Sequence, residues 1–210
     1  MSGREQTVIL GMGCFWSPDA LFGQLQGVIR TRVGYAGGTA PNPVYRELGD
    51  HTEVVEVTFE PDRISITTIV ELFWSRHNPV NINDYKGRQY QSLLMYDSEE
   101  QLHSMQDVLG TLEEQGKGRP DTEIVPRSVF YPAENRHQKY YLKRYPDAVR
   151  HLEALYPSEE ALTDGTLAAR LNGLAKGYTN LTRIVQEIEA WPVSMEERQK
   201  LIRLVRQIRW

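Results

Sequence analysis

Between Gln6 and Tyr96 the chain switches between two hydrophobic periods in a fixed order, and that order leaves few folds open. Val8-Ile9-Leu10 is an apolar run of strand type, and Ala20-Leu21-Phe22 to Leu25 carries a helical spacing. Pro18 and Asp19 fall in that helix's first turn, where proline's missing N–H costs nothing and a carboxylate is favoured. Val28 to Tyr35 reads as a strand stopped by Gly37-Gly38. Glu53 to Phe59 alternates, with Val55, Val57 and Phe59 on one face and Val54 and Glu56 on the other, the pattern of a half-buried strand. Ser65 to His77 sets Ile66, Ile69, Val70, Phe73 and Trp74 at core spacing for an amphipathic helix. Tyr90 to Tyr96 is a further strand. Strand, helix, strand, strand, helix, strand is the split βαβ order. The expected class is therefore α+β, with a ferredoxin-like core in which helices cover one face of an antiparallel or mixed sheet.

Beyond this core the pattern predicts a helix from Glu99 to Gln115 capped by Ser98, a strand over Thr122 to Tyr131 and a helix over Glu134 to Tyr145. From Pro157 strand signals cease. Helical spacing covers Ala161 to Asn172, Leu181 to Trp191 and Met195 to Trp210, the last with a stripe of Leu201, Leu204, Val205 and Ile208. The expected division is a catalytic domain over 1–156 and a helical C-terminal extension over 157–210. The length of 210 residues suits one full domain with an appendage.

Charge and composition narrow the partners. A formal net charge of -4 gives no basic footprint for a nucleic-acid backbone. No apolar run is long enough to span a membrane, and Met1 to Gln6 lacks the apolar core of a signal peptide. With a single cysteine there is no internal disulfide framework, which fits a reducing compartment. The expectation is a cytoplasmic protein without nucleic-acid or membrane partners.

That cysteine, Cys14, lies in Gly11-Met12-Gly13-Cys14-Phe15-Trp16, at a glycine-built corner between the first strand and the first helix. A thiol at a helix N-terminus is favoured as thiolate by unpaired N–H groups and the macrodipole. The two aromatics that follow would give it an apolar floor. A lone intracellular cysteine is more often a small buried hydrophobe, and the position argues for reactivity here. His51 and Glu53 open a strand just after a turn, an arrangement common at exposed strand starts. A partly desolvated Glu53 near a thiol would instead serve as a general acid. Tyr35, Tyr45, Tyr85 and Tyr90 lie in or beside loops, where a phenol is a good donor to a polar substrate oxygen. Glu134 and His137 lie three apart, but no further cluster joins them, so no metal is expected.

These segments together resemble methionine sulfoxide reductase A. The resemblance is carried by Gly13-Cys14-Phe15-Trp16, Gly34-Tyr35-Ala36-Gly37-Gly38, Asn42-Pro43-Val44-Tyr45, His51-Thr52-Glu53-Val54-Val55, Gly87-Arg88-Gln89-Tyr90-Gln91-Ser92 and Ala133-Glu134-Asn135-Arg136-His137-Gln138, in the family's order. It implies thiol-dependent reduction of the S epimer of methionine sulfoxide, free or in oxidised proteins. Cys14 matches the nucleophile and Glu53 the acid. Phe15 and Trp16 match the cage for the substrate's S-methyl group, and Tyr45 and Tyr90 the phenols around the sulfoxide oxygen. The family's loop aspartate falls at Tyr85, with Asp84 one place before it, so both are assigned to substrate binding.

The family's first motif continues with glycine, any residue and glutamate, where this chain has Ser17-Pro18-Asp19. Many members also form a disulfide between the nucleophile and a C-terminal cysteine, which a one-cysteine chain cannot do. The implied cycle has no bound cofactor and an external thiol as reductant: thioredoxin, glutaredoxin with glutathione, or a small thiol. Two other readings stay open. One is a reductase of a different sulfoxide or oxidised small molecule, motivated by the altered loop. The other is a non-catalytic binder of oxidised methionine.

Overall fold

A computed structural model describes residues 5–82 and 87–210. The predicted order is present as β1 (Gln6–Met12), α1 (Trp16–Gly23), β2 (Val28–Ala36), β3 (Thr52–Phe59), α2 (Ile66–Ser75) and β4 (Ser92–Tyr96). Then follow α3 (Glu99–Glu114), β5 (Glu123–Pro126) and β6 (Tyr131–Pro132). The strands form one sheet in the order β5-β4-β1-β3-β2-β6. Its inner four strands, β4-β1-β3-β2, have the ferredoxin-like order and are antiparallel throughout. β5 adds to β4 in parallel at one edge, and β6 adds to β2 at the other.

The alternation read in β3 sets its two faces. Val55, Val57 and Phe59 join Val8 and Leu10 in a core closed by α1, α2 and α3. Val54 points the other way, with Ile9, Leu93 and Met95. The strand is not half-buried, however: every residue of β3 is buried. The segment after β5 covers the second face, where Arg127 donates to Glu56 at 2.6 Å and pairs with Asp97 at 3.0 Å. Ser65 and Ser98 cap α2 and α3 by accepting from Thr68 and Gln101 N–H groups.

Three expected elements are corrected, the first being the helix over Ala161 to Asn172, which is two helices, Glu159–Asp164 and Thr166–Lys176, parted at the extended Gly165. The strand over Thr122 to Tyr131 is two strands on opposite edges of the sheet, because the chain crosses that second face between them. The helix over Glu134 to Tyr145 is absent; turns lead into a short 3₁₀ segment, Leu142–Arg144. Gln138 spends its side-chain amide on β2, accepting from Val33 N–H at 2.9 Å and donating to Val33 C=O at 2.8 Å. Lys139 then takes a positive φ of 52°, which no helix continues.

The C-terminal part adds α4 (Pro146–Leu152), α5 (Glu159–Asp164), α6 (Thr166–Lys176), α7 (Leu181–Glu189) and α8 (Met195–Gln207). They bury a second cluster around Leu152, Leu171, Ile188 and Val205. Helix α6 lies against α1. Gly173 permits this approach, since a Cβ there would lie 2.4 Å from Gln24 Cβ. Arg170 of α6 is buried; it donates to Gly23 C=O at 2.6 Å and Val28 C=O at 2.8 Å and forms an ion pair with Glu187. Its guanidinium thereby satisfies a carbonyl at the C-terminal end of α1, which the helix itself leaves open. Among the described residues no helix is long and apolar enough to cross a membrane.

Candidate active site

The site is set by sheet register. β1 pairs antiparallel with β3, Leu10 opposite Val55, so the end of β1 comes out beside the start of β3. One strand delivers Cys14 and the other Glu53. Gly13 makes the corner between β1 and α1, with a φ of 94°; a Cβ there would also strike Ile82 at 2.5 Å. Helix α1 therefore starts immediately after Cys14, with Phe15 as its N-cap.

Glu53 is 1% exposed. Its Oε2 accepts from the Phe15 N–H at 3.2 Å and its Oε1 from the Gln89 side chain at 2.7 Å. Both donors are neutral. Burial pushes the Glu53 carboxyl above its ordinary value, against the pull of these two hydrogen bonds. Cys14 is partly exposed. Here the helix-start expectation is corrected: burial raises the Cys14 thiol, the Trp16 N–H that hydrogen-bonds it lowers it, and the Glu53 charge raises it again, for a net upward shift. Desolvation outweighs the one backbone donor.

The aromatics form a stack beside this pair. The Trp16 indole lies flat on Tyr140, centroids 3.8 Å apart, and donates from Nε1 to His137 Nδ1 at 3.2 Å. That bond fixes the His137 tautomer, with the proton on Nε2. Burial lowers the His137 pKa, so the ring stays neutral and able to accept. Phe15 is buried, 5.5 Å from the His137 ring, and Tyr45 meets the same ring at 4.8 Å. Glu134 organises the other side. It accepts from Tyr35 Oη at 2.8 Å and from Tyr45 N–H at 3.3 Å. Burial opposes its charge, yet its hydrogen bonds hold the carboxyl below its ordinary value. The Tyr35 phenol is raised by burial and by this carboxylate.

Of the residues singled out in the sequence, Cys14, Phe15, Trp16, Glu53 and Tyr45 thus come together. Tyr90 lies on the 3₁₀ turn Arg88–Tyr90, directly after the Gln89 that binds Glu53. Asp84 and Tyr85 lie outside the described residues. His51 is buried rather than exposed: it accepts from Gly38 N–H at 3.1 Å and binds Ala40 C=O at 2.8 Å, bracing the loop before β3. Gln89 and Tyr140 received no role from the sequence, and His137 was weighed there only as a metal ligand. Gln89 stood inside a quoted motif, but its partner is 36 residues away. A further network was unforeseen. Asp19, wholly buried in α1, accepts from Lys139 Nζ at 3.0 Å, Lys139 N–H at 3.0 Å, the Thr31 hydroxyl and Asn172 Nδ2 at 3.2 Å.

Residues 6–165 match the family profile described as "Peptide methionine sulfoxide reductase". A Drosophila melanogaster protein of that name is 39% identical over 198 residues, covering 93% of this chain and 78% of its own. The Oryza sativa peptide methionine sulfoxide reductase A5 is 42% identical over 81% of this chain and 68% of its own. Among solved structures, methionine sulfoxide reductase A of Corynebacterium diphtheriae superposes with a TM-score of 0.59 at 31% identity, covering 70% of this chain and 79% of that one. Reduced Mxr1 from Saccharomyces cerevisiae gives 0.61 at 26%, covering 68% and 87%. The profile ends at residue 165, where α6 is about to begin, whereas the alignment with the Drosophila protein takes in most of the chain. With this fold and this match over most of its length, the chain belongs to the peptide methionine sulfoxide reductase family.

Proposed function

We propose that the chain reduces the S epimer of methionine sulfoxide, free or within oxidised proteins, to methionine. The observation that carries this reading is the buried Glu53 carboxyl, held by Phe15 N–H and Gln89 beside the start of the helix that follows Cys14. A sulfoxide sulfur is a poor electrophile until its oxygen is protonated or strongly hydrogen-bonded. Glu53 in its acid form donates to that oxygen while the thiolate of Cys14 attacks sulfur. The oxygen passes to Cys14, which becomes a sulfenic acid, and methionine leaves. Phe15 and Trp16 hold the S-methyl group, with the indole fixed by His137 and Tyr140; Tyr45, Tyr90, Asp84 and Tyr85 complete the substrate side.

An external thiol closes the cycle, because the chain has one cysteine. Thioredoxin, glutaredoxin with glutathione, and small thiols are the candidates, in a cytoplasmic setting. The catalytic unit spans 1–156, and the extension over 157–210 braces α1 through Arg170 and Asn172. Turnover with each epimer and dithiothreitol, for wild type, Cys14→Ser and Glu53→Gln, tests the reading. Only the S epimer should turn over, Cys14→Ser should be inactive, and Cys14 should gain one oxygen after one equivalent of substrate. Unimpaired Cys14→Ser turnover would sink it.

A further inference from the structure

Beside the reacting groups stands a wall of hydrogen-bond donors that the sulfoxide chemistry does not use. Cys14 and the cage residue Trp16 line a cavity of about 520 Å³, which is part of the sulfoxide site and larger than one methionine side chain fills. Met12, Pro18, Leu21 and Ile82 give it apolar surface. Arg76 and Asn78, from the turn after α2, also line it. The Arg76 N–H closes α2 by donating to Phe73 C=O at 3.3 Å, and a cation is favoured at such a helix end. Its guanidinium is nevertheless exposed, with no ion-pair or hydrogen-bond partner among the described residues. Asn78 accepts Val80 N–H on Oδ1 at 3.1 Å, which leaves its amide N–H groups to donate. Neighbouring groups are taken. His77 spends its two ring nitrogens on Phe73 C=O and Ser92 Oγ, and burial lowers its pKa, so it adds no charge. Ser17 Oγ and Tyr141 Oη bond each other at 3.1 Å. Among the described residues no carboxylate lines the cavity.

We propose that Arg76 is a specificity-determining residue, which selects methionine sulfoxide within a peptide chain where an acidic residue stands beside it. The inference rests on the reading that methionine sulfoxide is reduced at Cys14. The sulfoxide side chain reaches Cys14, the neighbouring carboxylate pairs with the free guanidinium of Arg76, and the amide of Asn78 donates to a peptide carbonyl. A wall that offers a cation and donors, and no anion among the described residues, suits a peptide better than the free amino acid. Free methionine sulfoxide brings an ammonium with its carboxylate, and that ammonium would lie near Arg76 without a counter-charge on this wall. A residue inside a peptide chain has no such group. An acidic neighbour is therefore drawn in and a basic one is repelled.

The test measures kcat and KM, with dithiothreitol as reductant, for blocked tripeptides carrying S-methionine sulfoxide at the centre. N-acetylated, C-amidated peptides place aspartate, glycine or lysine on either side of it, and free methionine sulfoxide is run beside them. At low ionic strength the better aspartate peptide should exceed the glycine peptide about fivefold in kcat/KM, and the lysine peptide should fall below both. The gain should lie in KM, since the ion pair is equally present before and during the reaction. It should shrink as salt is added. Arg76→Lys, which keeps the charge, should retain the preference, and Arg76→Glu should reverse it in favour of lysine. The side chain is exposed, so folding is not at stake. Equal rates for aspartate, glycine and lysine peptides in wild type would overturn the inference, and so would a preference that survives Arg76→Glu or is lost equally in Arg76→Lys. Free methionine sulfoxide outrunning the aspartate peptides would overturn it too, by making the amino acid's own carboxylate the ligand of Arg76. Failure of the sulfoxide reading would show differently, as no turnover of any of these substrates.

Discussion

Two buried carboxylates flank the start of α1, and they are held in opposite ways. Asp19 is met by an ammonium, a backbone N–H, a hydroxyl and an amide. Glu53 has two neutral donors, and burial drives its carboxyl upward. A buried charge with a cation and a full set of donors is a fixture of the structure. A buried carboxyl held only by neutral donors is one that can carry a proton to a substrate. The same helix start is therefore locked on one side and chemically poised on the other.

The largest break of this contrast is expected in catalysis. Glu53→Gln keeps the hydrogen-bonded shape and should lower kcat/KM for the S epimer by about 100- to 10,000-fold. Its pH behaviour should change in kind. In the proposed cycle the productive form carries one proton on Glu53 and none on Cys14, so wild-type kcat/KM should be bell-shaped between the two raised values, read as macroscopic constants. The variant should lose the alkaline fall and show a single rise with pH. Stability should move the other way. A carboxyl whose folded pKa is raised costs stability as pH climbs from its unfolded value, about 4.3, through its folded value. Denaturant titrations should show that decline in wild type and not in Glu53→Gln.

On the other side, Asp19→Ala leaves the Lys139 ammonium buried and unpaired, and should cost about 3–5 kcal/mol of folding stability. Activity per folded molecule should persist, which a melting curve beside an active-site titration would show. A loss of activity at full stability would put Asp19 in the chemistry and erase the contrast. Gentler is Asp19→Leu with Lys139→Met, which removes both charges and should cost far less than Asp19→Ala alone. Smallest is Thr31→Val, which deletes one donor to Asp19; denaturation should register about 1 kcal/mol, with kcat unchanged.

Much of this was legible in the chain, for local reasons. The inner strands and α1 to α3 announce themselves by period, and the caps at Ser65 and Ser98 by residue type. Cys14 and Glu53 were legible as an ordered pair of motifs. What stayed hidden is non-local. Nothing near Gln138 says that its amide will pair with Val33 across 105 residues and replace a helix with turns. Nothing near Glu53 names Gln89. The thiolate bias expected at Cys14 was sound as a local argument, yet burial, a property of the assembled site, decides the direction.

The reach of the Asp19 and Arg170 contacts has a consequence for how the molecule is made. Asn172 is 153 residues from Asp19, and Arg170 is 147 from Gly23. On the ribosome the first helix is therefore born without the groups that fix it, and waits until α6 has been synthesised. Pairings of such span close late and slowly, since loop entropy is lost before the contact is gained. Cys14 would then spend most of translation beside an unanchored helix, and its burial would be finished among the last events of folding. Ribosome-stalled chains of increasing length, probed with a thiol-alkylating reagent, should show Cys14 labelling fall once α6 and α7 have emerged.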